Sequence, residues 1–457
     1  MADLVKGLRQ AGIAKHKEGD FKAALALYAR AMAFAPDDAE TLTNMGVILR
    51  QTKQFHEALA LQRRAITIAP ENRAIRVNCA NILEDTGHHD EAADLRRSLL
   101  EDEPNSSPNQ ALLVRSLRNA GRVDEARALL DTYLAGDNPG PELRLEHGIF
   151  QLAYGHYAEG FRHYLARREA KLVDLPEVNL PRWTGQPLKG KRVLFLPEQG
   201  IGDTINFVRF LPYLKDRGAE VHLITRPPMH RLLQTLPEAD AVLSEPVKGA
   251  GYHYWTSGLD VPVDYFHFRD DVPPPLRPTP PQDSRKRAGM FTAAHADRFK
   301  VGCVWRGAEG YDRNAMRSMP HGLMRELAEV PEVQLFSLYK GPALDAYLAD
   351  GSAATMLDTA STDRDLADCA AMIEAMDLVV TVDTVTAHIA GTLGKPVWNL
   401  LHWEPFWLYG PQGDTTPWYD TMRLFRQTAP FDWSDVMAEV RRDLTTRAAE
   451  FARERGT

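Results

Sequence analysis

Small and apolar residues return along the first third of the chain at a fixed interval of 34 positions. Ala24, Ala58, Ala92, Ala126 and Gly160 form one column, and Gly12, Gly46, Ala80, Val114 and Gly148 a second. Pro36, Pro70 and Pro104 keep the same spacing, as do the turn-like pairs Gly19-Asp20, Lys53-Gln54, Gly87-His88, Gly121-Arg122 and Gly155-His156. Each period therefore predicts two helices. The turn pair separates them, the small columns let them approach closely, and the proline, which has no backbone donor, stops the second. Beyond residue 180 the pattern changes: short apolar runs alternate with helical stretches. The runs are VLFL (193–196), VHLIT (221–225), AVLSE (241–245), VGCVW (301–305), VQLFSL (333–338), DLVVTV (377–382) and PVWNLL (396–401). Such alternation predicts parallel sheets with helices on both faces. DDVPPPLRPTPPQDSRKR (270–287) separates two groups of runs and is too rich in proline and charge to form a core. A terminal helix is expected from Ser434 to Arg453.

The expected organisation is thus helical repeats over 1–172, one α/β half over 173–270, a proline-rich linker over 271–298, and a second α/β half with a closing helix over 299–457. Hydrophobic residues are 44% and charged residues 25% of the 457, an ordinary globular composition rather than a disordered one. A net charge of −8 gives no general attraction to a polyanion, which argues against a nucleic-acid binder. No apolar run approaches the ~18 residues of a membrane span, and MADLVKGLRQ does not read as a signal peptide. Cys79, Cys303 and Cys369 cannot pair completely and lack metal-ligand spacing. A cytoplasmic protein without a disulfide framework or zinc site is expected.

Five units of this length and pattern, over residues 5 to 172, resemble the tetratricopeptide repeat (TPR). Units four and five lack the terminal proline in place, Pro139 being shifted by one. Repeats of this kind stack into an α-solenoid whose concave face usually holds a peptide or protein segment, so a protein partner is expected; a purely structural or dimerising scaffold is the alternative.

Two loops carry the candidate chemistry. VLFL runs into PEQGIGD (197–203), with a helix expected from about Thr204. Gly200 and Gly202 permit a tight turn and close backbone approach. Asp203, beside a helix N-terminus, is expected to be ionised and able to take a proton from a hydroxyl, or else simply to cap the helix. A dinucleotide fingerprint fits poorly, because the third glycine is absent and the next strand ends in Thr225-Arg226 rather than an acidic ribose ligand. The second loop, DLVVTVDTVTAHIAGTLGKPV (377–397), takes a buried strand into Asp383-Thr384 and then a helix. The free amides of that helix, with the Thr384 hydroxyl, suit a pyrophosphate, and His388 lies one turn later on the same face. Each of these residues alone also fits a capping or packing role. Asp363-Arg364-Asp365 has the spacing of a metal-binding pair but precedes a helix, where acidic residues cap. Trp403, Phe406, Trp407, Tyr409, Trp418 and Tyr419 offer surfaces for a base or sugar, or a brace between domains.

Together, PEQGIGDTINFVRFLP and TVDTVTAHIAGTLGKPVW resemble the heptosyltransferase-like glycosyltransferase superfamily, particularly its bacterial members fused behind tetratricopeptide repeats. RWTGQPLKGKRVLFLPEQGIGD, WRGAEGYDRNAMRSMP and GDTTPWYDTMRLFRQ look like stretches typical of that fused group. In architecture the chain is also similar to O-linked N-acetylglucosamine transferase. The resemblance implies a GT-B fold of two Rossmann-like α/β domains, and an inverting transfer with no metal or other cofactor. It also implies a nucleotide-sugar donor held in the C-terminal half. Carried onto this chain, it makes Asp203 the base and places Asp383, Thr384 and His388 in the donor-binding segment. Val385 stands where the heptosyltransferases have a glycine, and His402-Trp403-Glu404-Pro405-Phe406-Trp407 replaces an acidic-Trp-Arg-Trp run. A departing nucleoside diphosphate without a metal needs positive charge, for which Arg306, Arg317 and Lys340 are candidates, with Gly200 and Gly202 giving the backbone access. The expected function is glycosyl transfer to a hydroxyl of a protein recruited by the repeats, such as flagellin or another bacterial surface protein. The alternatives are a glycan or lipopolysaccharide-type sugar transferase, and a non-catalytic scaffold carrying a degenerate transferase domain.

Overall fold

The computed structural model describes residues 1–136, 138–171, 173 and 178–456; the expected domain ends at Leu172 and Thr457 lie outside the described residues. The chain divides into two compact units, Met1–His147 and Gly148–Thr457.

The first unit is a run of helix pairs: Ala2–Lys17 with Phe21–Phe34, Ala39–Gln51 with Phe55–Ile68, Arg73–Asp85 with His89–Asp102, and Ser107–Asn119 with Val123–Leu134. The small columns act as their spacing implied. Ala24, Ala58, Ala92 and Ala126 are wholly buried. A Cβ on Gly46 would stand 2.6 Å from Gln62 Nε2, and one on Gly12 would run into the Tyr28 ring. The turn column, Gly19, Lys53, Gly87, Gly121 and Gly155, has positive φ throughout. A tight helix reversal needs one left-handed residue, which glycine supplies without a Cβ clash. The second helices of the first three pairs end at Phe34, Ile68 and Asp102, two residues before each proline. The fifth pair is Pro141–Ala153 and Tyr157–Tyr164, and its second helix falls in the second unit.

The second unit holds two wholly parallel sheets. The smaller contains β1 (Arg192–Leu196), β2 (Glu220–Ile224), β3 (Ala241–Leu243) and β4 (Tyr254–Ser257), in the order β3-β2-β1-β4. The larger contains β5 (Phe299–Val304), β6 (Val333–Ser337), β7 (Met356–Asp358), β8 (Leu378–Val382), β9 (Val397–Leu401) and β10 (Met422–Arg426), in the order β10-β9-β8-β5-β6-β7. From its first strand each sheet winds outward one way and then the other, the Rossmann arrangement, so the architecture is a TPR array followed by a GT-B-like pair of α/β sheets. The strand order reverses between β1 and β4 in one sheet and between β5 and β8 in the other. Central strands such as β8 and β9 are buried along their whole length, which is why they read as nearly continuous apolar runs, interrupted only by Thr381 and Asn399.

The stretch 271–298 carries the helix Gln282–Thr292, whose Ser284 donates to Asp368 Oδ1 at 2.6 Å and whose Arg285 pairs with Glu374. The terminal helix, Ser434–Gly456, packs on its own half: Arg441 pairs with Glu329, Arg423 with Asp443, and Phe451 meets Phe299 at 5.5 Å. Cys79, Cys303 and Cys369 are free and buried. Among the described residues no helix is long and apolar enough to cross a membrane.

Candidate active site

β1 leads through Glu198 and Gln199 into the helix Ile201–Phe207, which starts three residues earlier than expected, with Gly200 as its N-cap. Asp203 therefore lies in the first turn, and its Oδ2 accepts the Gly200 N–H at 2.9 Å. The carboxylate does cap, as the plainer reading held, but its environment does more. Burial pushes the Asp203 carboxyl up to about 7; the Gly200 N–H opposes this and the Asp383 charge adds to it. The expectation of a fully ionised carboxylate is thus corrected, because one helix end does not offset the loss of water and a second acid nearby. A carboxyl of this kind exchanges its proton near neutral pH.

β8 runs directly into Asp383, and Thr384 caps the helix Val385–Leu393. The Thr384 hydroxyl is buried, accepts the Thr386 N–H at 3.3 Å and lies 3.1 Å from Thr381 Oγ1. Asp383 Oδ1 accepts the Tyr409 hydroxyl at 2.8 Å. His388, one turn into the helix, sets its Nδ1 3.0 Å from the Tyr419 hydroxyl. Burial pushes the His388 pKa down to about 4, so the ring is neutral at pH 7. Gly391 makes room for Tyr419, since a Cβ there would come 2.5 Å from the ring.

The two loops meet. A Cβ on Gly202 would stand 2.5 Å from His388 Cδ2, so the helix after β1 lies directly against the helix after β8. Both loops leave strand carboxyl ends beside the reversal points of their sheets, where ligands of open α/β sheets lodge. Asp203, Asp383, Thr384, His388, Gly200 and Gly202 are therefore one neighbourhood.

The candidate cations divide. Arg317 belongs to this neighbourhood: its guanidinium lies 4.3 Å from the Tyr311 ring centroid, hard against Gly307, and its charge is felt at His388. Arg306 follows β5 but is held by Glu309 through hydrogen bonds of 2.6 and 3.0 Å. Lys340 turns instead to the Asp363 carbonyl oxygen. Asp365 caps the helix Leu366–Ala375, accepting from the Ala367 and Asp368 amides.

Several residues at the site had no assignment from the sequence. Arg209 is buried, donates to the Asn206 and Pro273 carbonyls at 2.9 and 3.1 Å, and lies 5.2 and 5.0 Å from the Trp418 and Tyr419 ring centroids. Its position six residues after Asp203 was visible, but nothing local showed that it points inward. The aromatic cluster splits by role. Tyr409 and Tyr419 hold Asp383 and His388. Trp407 and Trp418 brace the fold, packing 5.7 Å from Phe161 and 5.6 Å from Tyr157 respectively. Trp403 packs on Phe431 at 4.6 Å.

Tetratricopeptide repeat signatures match residues 4–71, 49–117 and 87–147. Protein FlbA of Caulobacter vibrioides is 26% identical over 344 residues, covering 68% of this chain and 57% of that protein. The chain thus spans little more than half the length of this curated relative. Among solved structures, a tetratricopeptide repeat protein from Parabacteroides merdae is 22% identical over 37% of this chain and 68% of its own, with a TM-score of 0.33. A glycosyl transferase family 9 structure from Veillonella parvula is 14% identical over 59% of this chain and 99% of its own, with a TM-score of 0.43. Residues 4–147 are accordingly tetratricopeptide repeats.

Proposed function

We propose that this chain is an inverting, metal-independent glycosyltransferase that moves a sugar from a nucleotide-sugar to a hydroxyl on a protein recruited by the repeats. The observation that carries the reading is the meeting of the two loops. It joins a carboxyl with a pKa about 7 to a helix N-terminus, a neutral histidine and Arg317.

In this reading the acceptor oxygen attacks the anomeric carbon while the bond from that carbon to the diphosphate oxygen breaks, its electron pair leaving with the diphosphate. Asp203 receives the acceptor proton. The start of the helix Val385–Leu393 and Arg317 take up the charge that grows on the leaving group. His388, uncharged, serves as a hydrogen-bonding partner for that group rather than a counter-ion. Arg306 and Lys340 are engaged by Glu309 and the Asp363 carbonyl, so they remain candidates only if donor binding frees them. The repeats supply the acceptor, as arrays of this kind bind extended protein segments; flagellin or another bacterial surface protein is the proposed class.

A thermal-shift panel of UDP-glucose, UDP-N-acetylglucosamine, GDP-mannose and ADP-heptose, repeated on Asp383→Ala, tests the donor half. A donor-dependent rise in the wild type that disappears in the variant supports the reading. No rise with any nucleotide-sugar leaves a repeat scaffold. Incorporation of labelled sugar into purified flagellin tests the acceptor.

A further inference from the structure

The loop that presents Asp203 is not held by its own sheet alone. We propose that Arg167 and Tyr164, from the last turns of the repeat pattern, are positioning residues for Asp203, which makes this end of the pattern part of the reaction centre. The proposal rests on the transferase reading of the site.

Three consecutive residues carry it. Glu198 is gripped on both carboxylate oxygens by Arg167, Nε to Oε1 at 2.5 Å and Nη2 to Oε2 at 2.8 Å. Arg167 Nη2 also reaches Asp260 Oδ1 at 2.9 Å, and the Ser257 hydroxyl donates to Glu198 Oε2 at 2.5 Å. The group thus ties the carboxyl ends of β1 and β4 together at the reversal point of the sheet. Gln199 comes next, with φ +62, a left-handed conformation that a residue bearing a side chain keeps only when its surroundings hold it. Its Nε2 donates to the Tyr164 hydroxyl at 3.0 Å. Gly200 is the third, and its N–H goes to Asp203. Arg167, Tyr164 and Asp203 therefore clamp positions 198, 199 and 200 in turn.

The clamp itself is fixed from below. Phe161, one turn before Tyr164, stacks on Phe266 at 5.4 Å and meets Phe207 and Trp407 edge-on at 6.3 and 5.7 Å. Arg167, Glu198 and Asp260 are all buried, and Arg168 and Arg182 add cations on Asp260 at 2.6 and 3.7 Å, so three arginines face two carboxylates. Apolar residues of similar volume would stabilise the fold as well as such a group does. What the ions add is direction, because a two-pronged arginine fixes the carboxylate plane.

The test uses the full-length protein with Arg167→Met, Arg167→Lys, Tyr164→Phe and Gln199→Gly. Two quantities are read: amide hydrogen exchange over 197–204, and kcat and KM for whichever nucleotide-sugar the wild type turns over. Arg167→Met and Tyr164→Phe are expected to speed exchange in that segment about tenfold while β8 and β9 stay at wild-type rates. In Arg167→Met, kcat should fall up to about 10²-fold with the donor KM unchanged, as for a misplaced reacting group. Arg167→Lys should recover part of kcat, keeping the charge but not the fork. Wild-type exchange and wild-type kcat in both Arg167→Met and Tyr164→Phe overturn the proposal. Should Arg167→Met fail to fold, Tyr164→Phe and Gln199→Gly decide it by the same two readings. Should the wild type turn over no nucleotide-sugar, the transferase reading falls, and exchange alone still decides whether this clamp holds the loop.

Discussion

Gly202 lies against the ring of His388, so closely that any side-chain carbon at 202 would come within 2.5 Å of His388 Cδ2. One residue belongs to the loop after β1 and the other to the helix after β8. Gly202→Ala must therefore move His388 or part the two helices. Overpacking of this kind costs about 1–3 kcal/mol. A lowered melting temperature together with at least about a tenfold loss of transfer is expected. Wild-type values for both would show that the contact is slack.

Asp203→Asn separates binding from turnover. Loss of a general base typically removes about 10²–10⁴-fold of rate, so turnover should collapse while nucleotide-sugar still raises the melting temperature. In the wild type the rate should climb with pH through about 7, as the carboxyl loses its proton. The stability has the opposite slope. The folded state holds this proton at a pH where the unfolded chain has released it, so the raised pKa weakens the fold increasingly from about pH 4 to 7. Melting curves should show Asp203→Asn gaining on the wild type over that window and keeping the gain above it.

Arg317 and Arg306 should behave differently although both come after β5. Arg317→Ala is expected to raise the donor KM about tenfold or more, the effect of losing a charged hydrogen bond. Arg306 is already neutralised by Glu309, so Arg306→Ala should change the KM less than about twofold. Steady-state kinetics with one nucleotide-sugar settles the order.

His388 should not titrate between pH 8 and 5. Burial lowers its pKa to about 4, Asp383 opposing and Arg209 and Arg317 assisting. The unfolded chain takes up this proton first, so the residue weakens the fold as pH falls from about 6.5 through 4. Ring resonances that stay constant by NMR to pH 5, and a shallower acid loss in His388→Gln, are the expected results.

How much of this was readable along the chain depended on the range of the interactions. The repeats were legible because a small residue, a left-handed turn and a proline recur in each period, and each answers to a local geometric demand. β8 and β9 were legible because burial on both faces leaves a nearly continuous apolar run. β7 is three residues long, β4 mixes aromatic with polar residues, and β10 sets two arginines among three apolar residues without a regular period, so none had a distinct local signature. The two loops could be found from their glycines and caps. The protonation of Asp203 could not, since it depends first on burial in the folded chain and then on the charge of Asp383, 180 positions away. Tyr409 and Tyr419 stood out only as members of an aromatic cluster, and their hydroxyl partners are set by folding. The proline-rich stretch concealed the helix Gln282–Thr292 because that helix is fastened by ion pairs and a buried serine rather than by an apolar stripe.

The three buried cysteines have a practical consequence. Burial pushes the thiols of Cys79 and Cys303 up to about 11 and 12, and that of Cys369 upward as well, so none offers a reactive thiolate at neutral pH. The native chain is thus a silent background for maleimide chemistry. A single cysteine introduced on a repeat helix or on the loop after β1 could carry a fluorophore or spin label without first removing the residues nature placed there.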